Sequence, residues 1–319
     1  MKSGCGCSTK ILVPVLIVLL VLFIVGFISG PIGSRLLNIQ PPSFLSISKP
    51  HVVLPSEGIL NVSNLFTITN TLIASWLSII VLACLFYFCT RKMKIIPGRL
   101  QGFAELIVEL LLNFMKGAAG EKNARLLFPV VATIFLYVLT NAYLALFPIF
   151  GTIGFYELHE GKEVFVPFLR AANTDVNVPL SIALVAFIFI EFWGLRALGF
   201  AHYINGFFNF GQLRGGFANL FKGKIRPAIS GIGLGFINLF VGTLEIFSHF
   251  IRIVSFTFRL FGNMTAGEIL LVVVCFLVPL IATIPFYGLE LLIGFIQALI
   301  FAGLTLVFGT IALTPHTEE

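Results

Sequence analysis

The sequence predicts an all-α, polytopic membrane protein. Apolar stretches long enough to cross a bilayer recur from one end of the chain to the other, and charged residues are scarce. The charges that interrupt the C-terminal apolar runs fall on helical spacings. Of 319 residues, 58% are hydrophobic and 11% charged, and the mean hydropathy is +1.04. Only lipid solvates such a composition. A transmembrane helix needs roughly 20 mainly apolar residues, and about six segments qualify: 11–33, 72–90, 126–150, 178–198, 229–279 and 284–313. So little chain joins them that no soluble catalytic domain fits, and the chain is not expected to be an enzyme by itself.

The first segment follows Lys2 and Lys10 as a signal peptide would, but its apolar run exceeds the usual 7 to 15 residues. Residues 1–36 therefore read as a retained anchor, with processing after Ser29 or Gly30 as the alternative. Residues 37–70, rich in Pro, Ser and Asn, read as an outer loop with little regular structure. Residues 71–319 form the main transmembrane domain. In it Arg91, Lys92 and Lys94 return the chain to the inner surface, and residues 101–116, with Glu105 and Glu109 on one side, suit an interfacial helix. Residues 151–175 are expected as an outer loop, and 199–227 as an inner one with four basic residues.

The net charge of +6 could attract nucleic acid, so the placement of the basic residues decides its meaning. With the N-terminus inside, fourteen Lys and Arg fall on inner segments, and four, Arg35, Lys49, Lys162 and Arg170, on outer ones. That bias orients the chain with both termini inside and accounts for the basic balance with no nucleic acid partner. Cys5 and Cys7 lie on the inner side, while Cys84, Cys89 and Cys275 sit in apolar helices. No disulfide framework, metal site or cofactor is expected.

The run 229–279 is the anomaly. About 50 residues at 1.5 Å each span ~75 Å against a hydrocarbon core of ~30 Å. The economical reading is one or two strongly tilted helices, with the GIGLG at 231–235 as a bend where the run begins.

Within this run and its successor stand Glu245, His249, Arg252, Arg259, Glu268, Glu290 and Gln297. Each charge costs roughly 2.5 to 3.5 kcal/mol at the bilayer centre on insertion scales, and such residues usually face an ion path or the bundle interior. Structural salt bridges would explain Glu245 or Arg252 taken singly, but fit Arg259 poorly. Glu245, Arg252 and Arg259 are seven apart, with Ser248, Ser255 and Asn263 at three- or four-residue offsets, so one polar stripe runs along an apolar helix. Glu268 falls on the opposite face from Arg259, as two separate aqueous arms would require. A turn near Pro279 levels Arg259 with Gln297 and Glu268 with Glu290. Two carboxylates at one depth cannot easily both stay ionised, so they would share and relay a proton; a pair of permanently protonated carboxyls is the alternative.

These residues resemble a known family, the a subunit of the membrane sector of F-type ATP synthases. The resemblance centres on RLFGNMTAGEILL at 259–271, with NLFVGTLEIFSHFIRIVSF at 238–256 before it and Glu290 and IQALIF at 296–301 after it. ITNTLIASW at 68–76, the stretch 141–148 and NTDVNVPLSIAL at 173–184 add to it. The additional N-terminal span is a departure, since many bacterial members lack it. The resemblance implies that Arg259 is the family's essential arginine, facing a ring of c subunits whose carboxylates carry the ion. It assigns Glu268, Glu290, Gln297, Asn263 and Asp175 to an outer half-channel, and Glu245, Ser248 and Arg252 to an inner one, whose stripe Ser255 continues. Family members often carry His at one of the positions held here by Glu268 and Glu290, and Lys where this chain has Arg252. A b-subunit stator stalk and the F1 sector are the further partners implied. The inward charge bias suits a bacterial plasma membrane, with the mitochondrial inner membrane as the alternative. A secondary ion transporter is the rival function, but it would show interrupted helices in corresponding places of two halves.

Overall fold

A computed structural model describes residues 6–38, 56–63, 66–159, 162–199 and 225–314. Its helices are α1 (Gly6–Ser29), α2 (Pro31–Leu37), α3 (Asn70–Thr90), α4 (Arg99–Ala145), α5 (Asn177–Leu198), α6 (Ile225–Leu277) and α7 (Ile284–Leu313). Two antiparallel hairpins, β1 (Gly58–Ser63) with β2 (Phe66–Thr69) and β3 (Gly154–His159) with β4 (Lys162–Pro167), lie between helices. Among the described residues, six helices are long and apolar enough to cross a membrane. The chain divides into two compact units: Met1–Trp76 with Asn141–Asp175 and Gly262–Ile296, and Leu77–Thr140 with Val176–Phe261 and Gln297–Glu319.

In the first unit, α1 approaches the turn after α6 through two glycines. A Cβ on Gly26 would collide with the carbonyl oxygen of Pro279, and one on Gly30 with that of Leu277. Small residues are what let backbones meet this closely inside a membrane. The turn follows from Pro279, which cannot continue the hydrogen-bond ladder of α6. Leu280 takes a left-handed φ of 69°, and a short 3-10 turn, Leu280–Thr283, leads into α7. Of the expected irregular loop 37–70, residues 39–55 and 64–65 lie outside the described residues, and in the rest Gly58–Ser63 and Phe66–Thr69 pair as β1 and β2. Their register shifts twice, between Gly58 and Leu60 and between Asn61 and Ser63. Bulged strands this short carry no two-residue alternation for a sequence pattern to reveal. The expected loop 151–175 likewise contains β3 and β4, in unbroken register from Gly154 opposite Pro167 to His159 opposite Lys162. Gly154 is required there, since a Cβ would strike the Val166 carbonyl oxygen.

In the second unit, Leu127 and Val131 of α4, Ala183, Ala186 and Ile190 of α5, Phe256 and Leu260 of α6, and Ala298, Ala302 and Leu306 of α7 are buried. Phe256 rests against Phe301 and Phe308, with ring centroids 4.9 and 6.1 Å away. Gly309 lets Leu127 approach to 3.0 Å of where a Cβ would stand. The segment 101–116, expected at the interface, and the third apolar segment are joined in α4, whose one non-helical residue is Gly120 (φ 76°, ψ 163°); only glycine adopts that backbone without strain.

One helix, α6, covers the run 229–279 as far as Leu277 and passes through the GIGLG of 231–235 without a break. Glycine weakens an isolated helix by about 1 kcal/mol, but in lipid any break would leave backbone groups unsatisfied at several kcal/mol each. The larger penalty keeps the helix whole. The expected inner loop and its basic residues lie almost wholly outside the described residues.

Candidate functional site

The first unit collects a polar cluster around the C-terminal part of α6. After β4 the chain stays pinned to the preceding turn: Phe168 N–H donates to the Ile153 carbonyl at 2.9 Å, and Gly151 N–H to that of Leu169 at 3.0 Å. This clamp delivers Arg170 to Glu268, whose Oε1 and Oε2 accept from Nε at 3.1 and 3.3 Å. The arginine side chain is 7% exposed and the glutamate 35%, so the pair is half shielded from solvent. Beyond it, Thr174 closes a short 3-10 turn by donating its hydroxyl to the Ala171 carbonyl at 2.7 Å. Asp175 then accepts from Thr71 Oγ1 at 3.1 Å, while Asn70 Nδ2 donates to the Pro167 carbonyl at 3.3 Å. The first turn of α3 is thereby tied to the segment that carries Arg170 and Asp175.

Glu290 of α7 is buried. Its carboxyl group lies where a Cβ on Gly267 of α6 would stand. It therefore meets α6 one residue from Glu268, and the glycine provides the space. Asn173 is completely buried, and neither amide atom has a hydrogen-bond partner among the described residues. Buried amides in native proteins are almost always satisfied, often by water. Asn263 is half-buried on α6.

In the second unit the stripe on α6 acquires a physical meaning. Phe256 and Leu260 on one side of it are buried, Ser248 and Ser255 on the other are exposed, and Glu245, Arg252 and Arg259 between them are half-buried. The charged residues occupy the border between packed core and open face. The Arg252 guanidinium lies 3.6 Å from the Phe308 ring centroid, a cation–π contact that holds it at that border. Arg259 stands 6.0 Å from the Phe256 ring. No carboxylate pairs with it among the described residues. Gln297 is half-buried on α7 beside fully buried Ala298. His249 Nδ1 lies 2.9 Å from Glu191 Oε1 of α5.

Sequence reasoning missed Arg170, Asn173, Glu191 and Gly267. By sequence Arg170 is one of four basic residues on outer segments. Glu191 carried a usable signal, since it is a lone acid well inside an otherwise apolar span. Gly267 and Asn173 lie in the stretches 259–271 and 173–184 that carry the family resemblance, but spacing alone does not single either out. Among the described residues, no group of three His, Cys, Asp or Glu gathers as metal ligands would.

Residues 72–310 match the family described as ATP synthase A chain. Similar full-length proteins bear the name ATP synthase subunit a. That of Gloeobacter violaceus is 31% identical over 250 residues, covering 78% of this chain and 86% of that protein. That of Solidesulfovibrio magneticus is 30% identical over 268 residues, covering 81% and 94%. That of Campylobacter jejuni is 32% identical over 220 residues, covering 69% and 79%.

Proposed function

This chain belongs to the ATP synthase A chain family, and we propose that Arg259 of α6 is the gate through which it couples proton flow to rotation of a c-subunit ring. The chain is a multi-pass, proton-translocating membrane subunit of ATP synthase and not the catalytic one. The carrying observation is Arg259 itself, a half-buried cation within a 53-residue helix with no carboxylate partner among the described residues. A charge in lipid costs roughly 2.5 to 3.5 kcal/mol, and a carboxylate brought by a second protein would offset it. The exposed side of the stripe, where Ser248, Ser255, Gly262 and Ala266 lie, has the small residues that let a ring helix pass closely. At about 1.5 Å per residue α6 is ~80 Å long, so it stays in a ~30 Å core only by lying far from the membrane normal. That posture would lay it along the ring.

Guanidinium cannot lose its proton in a protein, so Arg259 is a poor relay and a good electrostatic gate. A protonated ring carboxylate that reaches it gives its proton to one aqueous arm, passes the cation as an anion, and takes up a proton from the other arm. The outer arm comprises Asp175, Asn263, Glu268, Glu290 and Gln297, and the geometry adds Arg170, which holds Glu268 in place. The inner arm comprises Glu245, Ser248, Arg252 and Ser255. A b-subunit stalk would hold the chain still relative to the F1 sector. The inward bias of Lys and Arg supports a bacterial plasma membrane with both termini cytoplasmic.

Arg259→Ala and Arg259→Lys test this reading, the latter because an ammonium can shift its pKa and lacks the planar fork. In inverted vesicles both should assemble yet lose ATP-driven proton pumping. Normal pumping by either would remove Arg259 from the gate.

A further inference from the structure

Glu191 and His249 join α5 to α6 inside the apolar part of the second unit, and the stripe on α6 does not by itself include either residue. His249 Nδ1 and Glu191 Oε1 are 2.9 Å apart, and each side chain is 18% exposed. The imidazole stands edge-on to Phe187 of α5, with centroids 5.9 Å apart and planes at 89°, so its ring orientation is fixed. On α6, His249 is one turn from Glu245 and one turn from Arg252, the two residues assigned above to the inner arm. The other charges nearby are few. Arg196 of α5 lies over Trp193 and Arg252 over Phe308. The stretch of α7 from Gln297 to Leu313 holds no titratable residue, and on α4 Glu121 and Arg125 pair with each other at 2.7 Å.

A pair between two helices apolar enough to cross a membrane calls for a reason beyond adhesion. Ion pairs in an apolar interior are often replaceable by apolar residues at no loss of stability, and each charged group here carries its own insertion cost. Residual exposure of both side chains leaves water a route to them. We infer that Glu191 and His249 form a proton-relay pair of the inner arm, which extends the path from the stripe on α6 to α5. This rests on the half-channel reading above. His249 takes a proton from path water at Nε2 and becomes imidazolium, with its charge balanced by Glu191. The imidazolium then releases that proton from Nε2 to water on the inner side, with Glu191 as its fixed counter-charge 2.9 Å from Nδ1. The Nδ1–H tautomer is kept throughout, so one proton moves and nothing is consumed.

The test is passive proton flux through the membrane sector, measured as the pH on the inner face is varied. Wild type should show an inflection that depends on the imidazole, and a flux without any pH inflection overturns the inference without any variant. Glu191→Leu combined with His249→Leu keeps an apolar packing pair and removes both titratable groups. Its flux should fall at least several-fold and lose the inflection. His249→Gln, which keeps a polar side chain beside Glu191 and removes the titratable ring, serves as the second variant and should lose the inflection too. A wild-type profile in either assembled variant makes the pair structural and overturns the relay. Labelling of Ser248→Cys by a membrane-impermeant thiol reagent separates the two readings. If it reacts only from the outer side, the inner-arm reading falls; if it reacts from inside while His249→Gln keeps the wild-type profile, only the relay falls.

Discussion

Neutralising either member of the Arg170–Glu268 pair should destabilise the protein, and neutralising both should cost much less than the two single changes together. At 3.1 Å two unit charges attract by about 5 kcal/mol at an effective dielectric constant of about 20. The glutamate side chain is 35% exposed, and solvent screening lowers that to about 2 to 3 kcal/mol. Arg170 also makes contacts beyond this pair, so a single variant overstates the bond, and a double-mutant cycle isolates it. The variants are Arg170→Gln, Glu268→Gln and their combination, compared by thermal unfolding of the purified membrane sector. The expected coupling is at least about 2 kcal/mol, because each single change leaves the other charge partly or wholly buried without this attraction. Hydrogen bonds between membrane helices average about 0.6 and reach at most about 1.7 kcal/mol in such cycles. A coupling inside that range would mean that the contact is an ordinary hydrogen bond, and would refute the argument that the arginine positions Glu268 by charge.

Gly267→Ala drives a methyl group into the Glu290 carboxyl, an overpacking cost of about 1–3 kcal/mol; proton flux should drop, and the shorter side chain of Glu290→Asp should restore part of it. Unchanged flux in Gly267→Ala would mean that Glu290 is not confined there. Single cysteines at Glu245, Ser248, Arg252 and Ser255 should react with an impermeant thiol reagent applied to the inner face, and reaction from the outer face alone would reverse the inner-arm assignment. Glu268→Gln and Glu290→Gln should each reduce passive proton flux through the isolated membrane sector without abolishing it, while the double variant should fall well below the product of the two, as residues acting as one unit do. A double variant equal to that product would show two independent carboxylates.

Much of this protein was legible one residue at a time along the chain. Hydropathy and length place its spans, because lipid admits only a helix long enough to cross and able to satisfy its own backbone. The same rule explains why 229–279 stays one helix despite GIGLG. Helical spacing puts Glu245, Arg252 and Arg259 on one stripe, and counting about Pro279 brings Glu290 to within one residue of Glu268. Helix geometry fixes such relations within an element or across one turn.

Tertiary structure alone decided what meets across elements remote in sequence. Periodicity does not encode that Arg170 leaves its loop for Glu268, or that Glu191 finds His249. Nor does it tell which edge of the α6 stripe is packed and which open, since burial is a property of neighbours. The hairpins belong here too, because a short strand is specified by its partner, and β1 and β2 pair through register shifts that leave no alternation to read. Long-range partners are chosen by the cost of leaving a charge or a backbone group unpaired in an apolar surrounding, a cost that falls due only once the chain has folded.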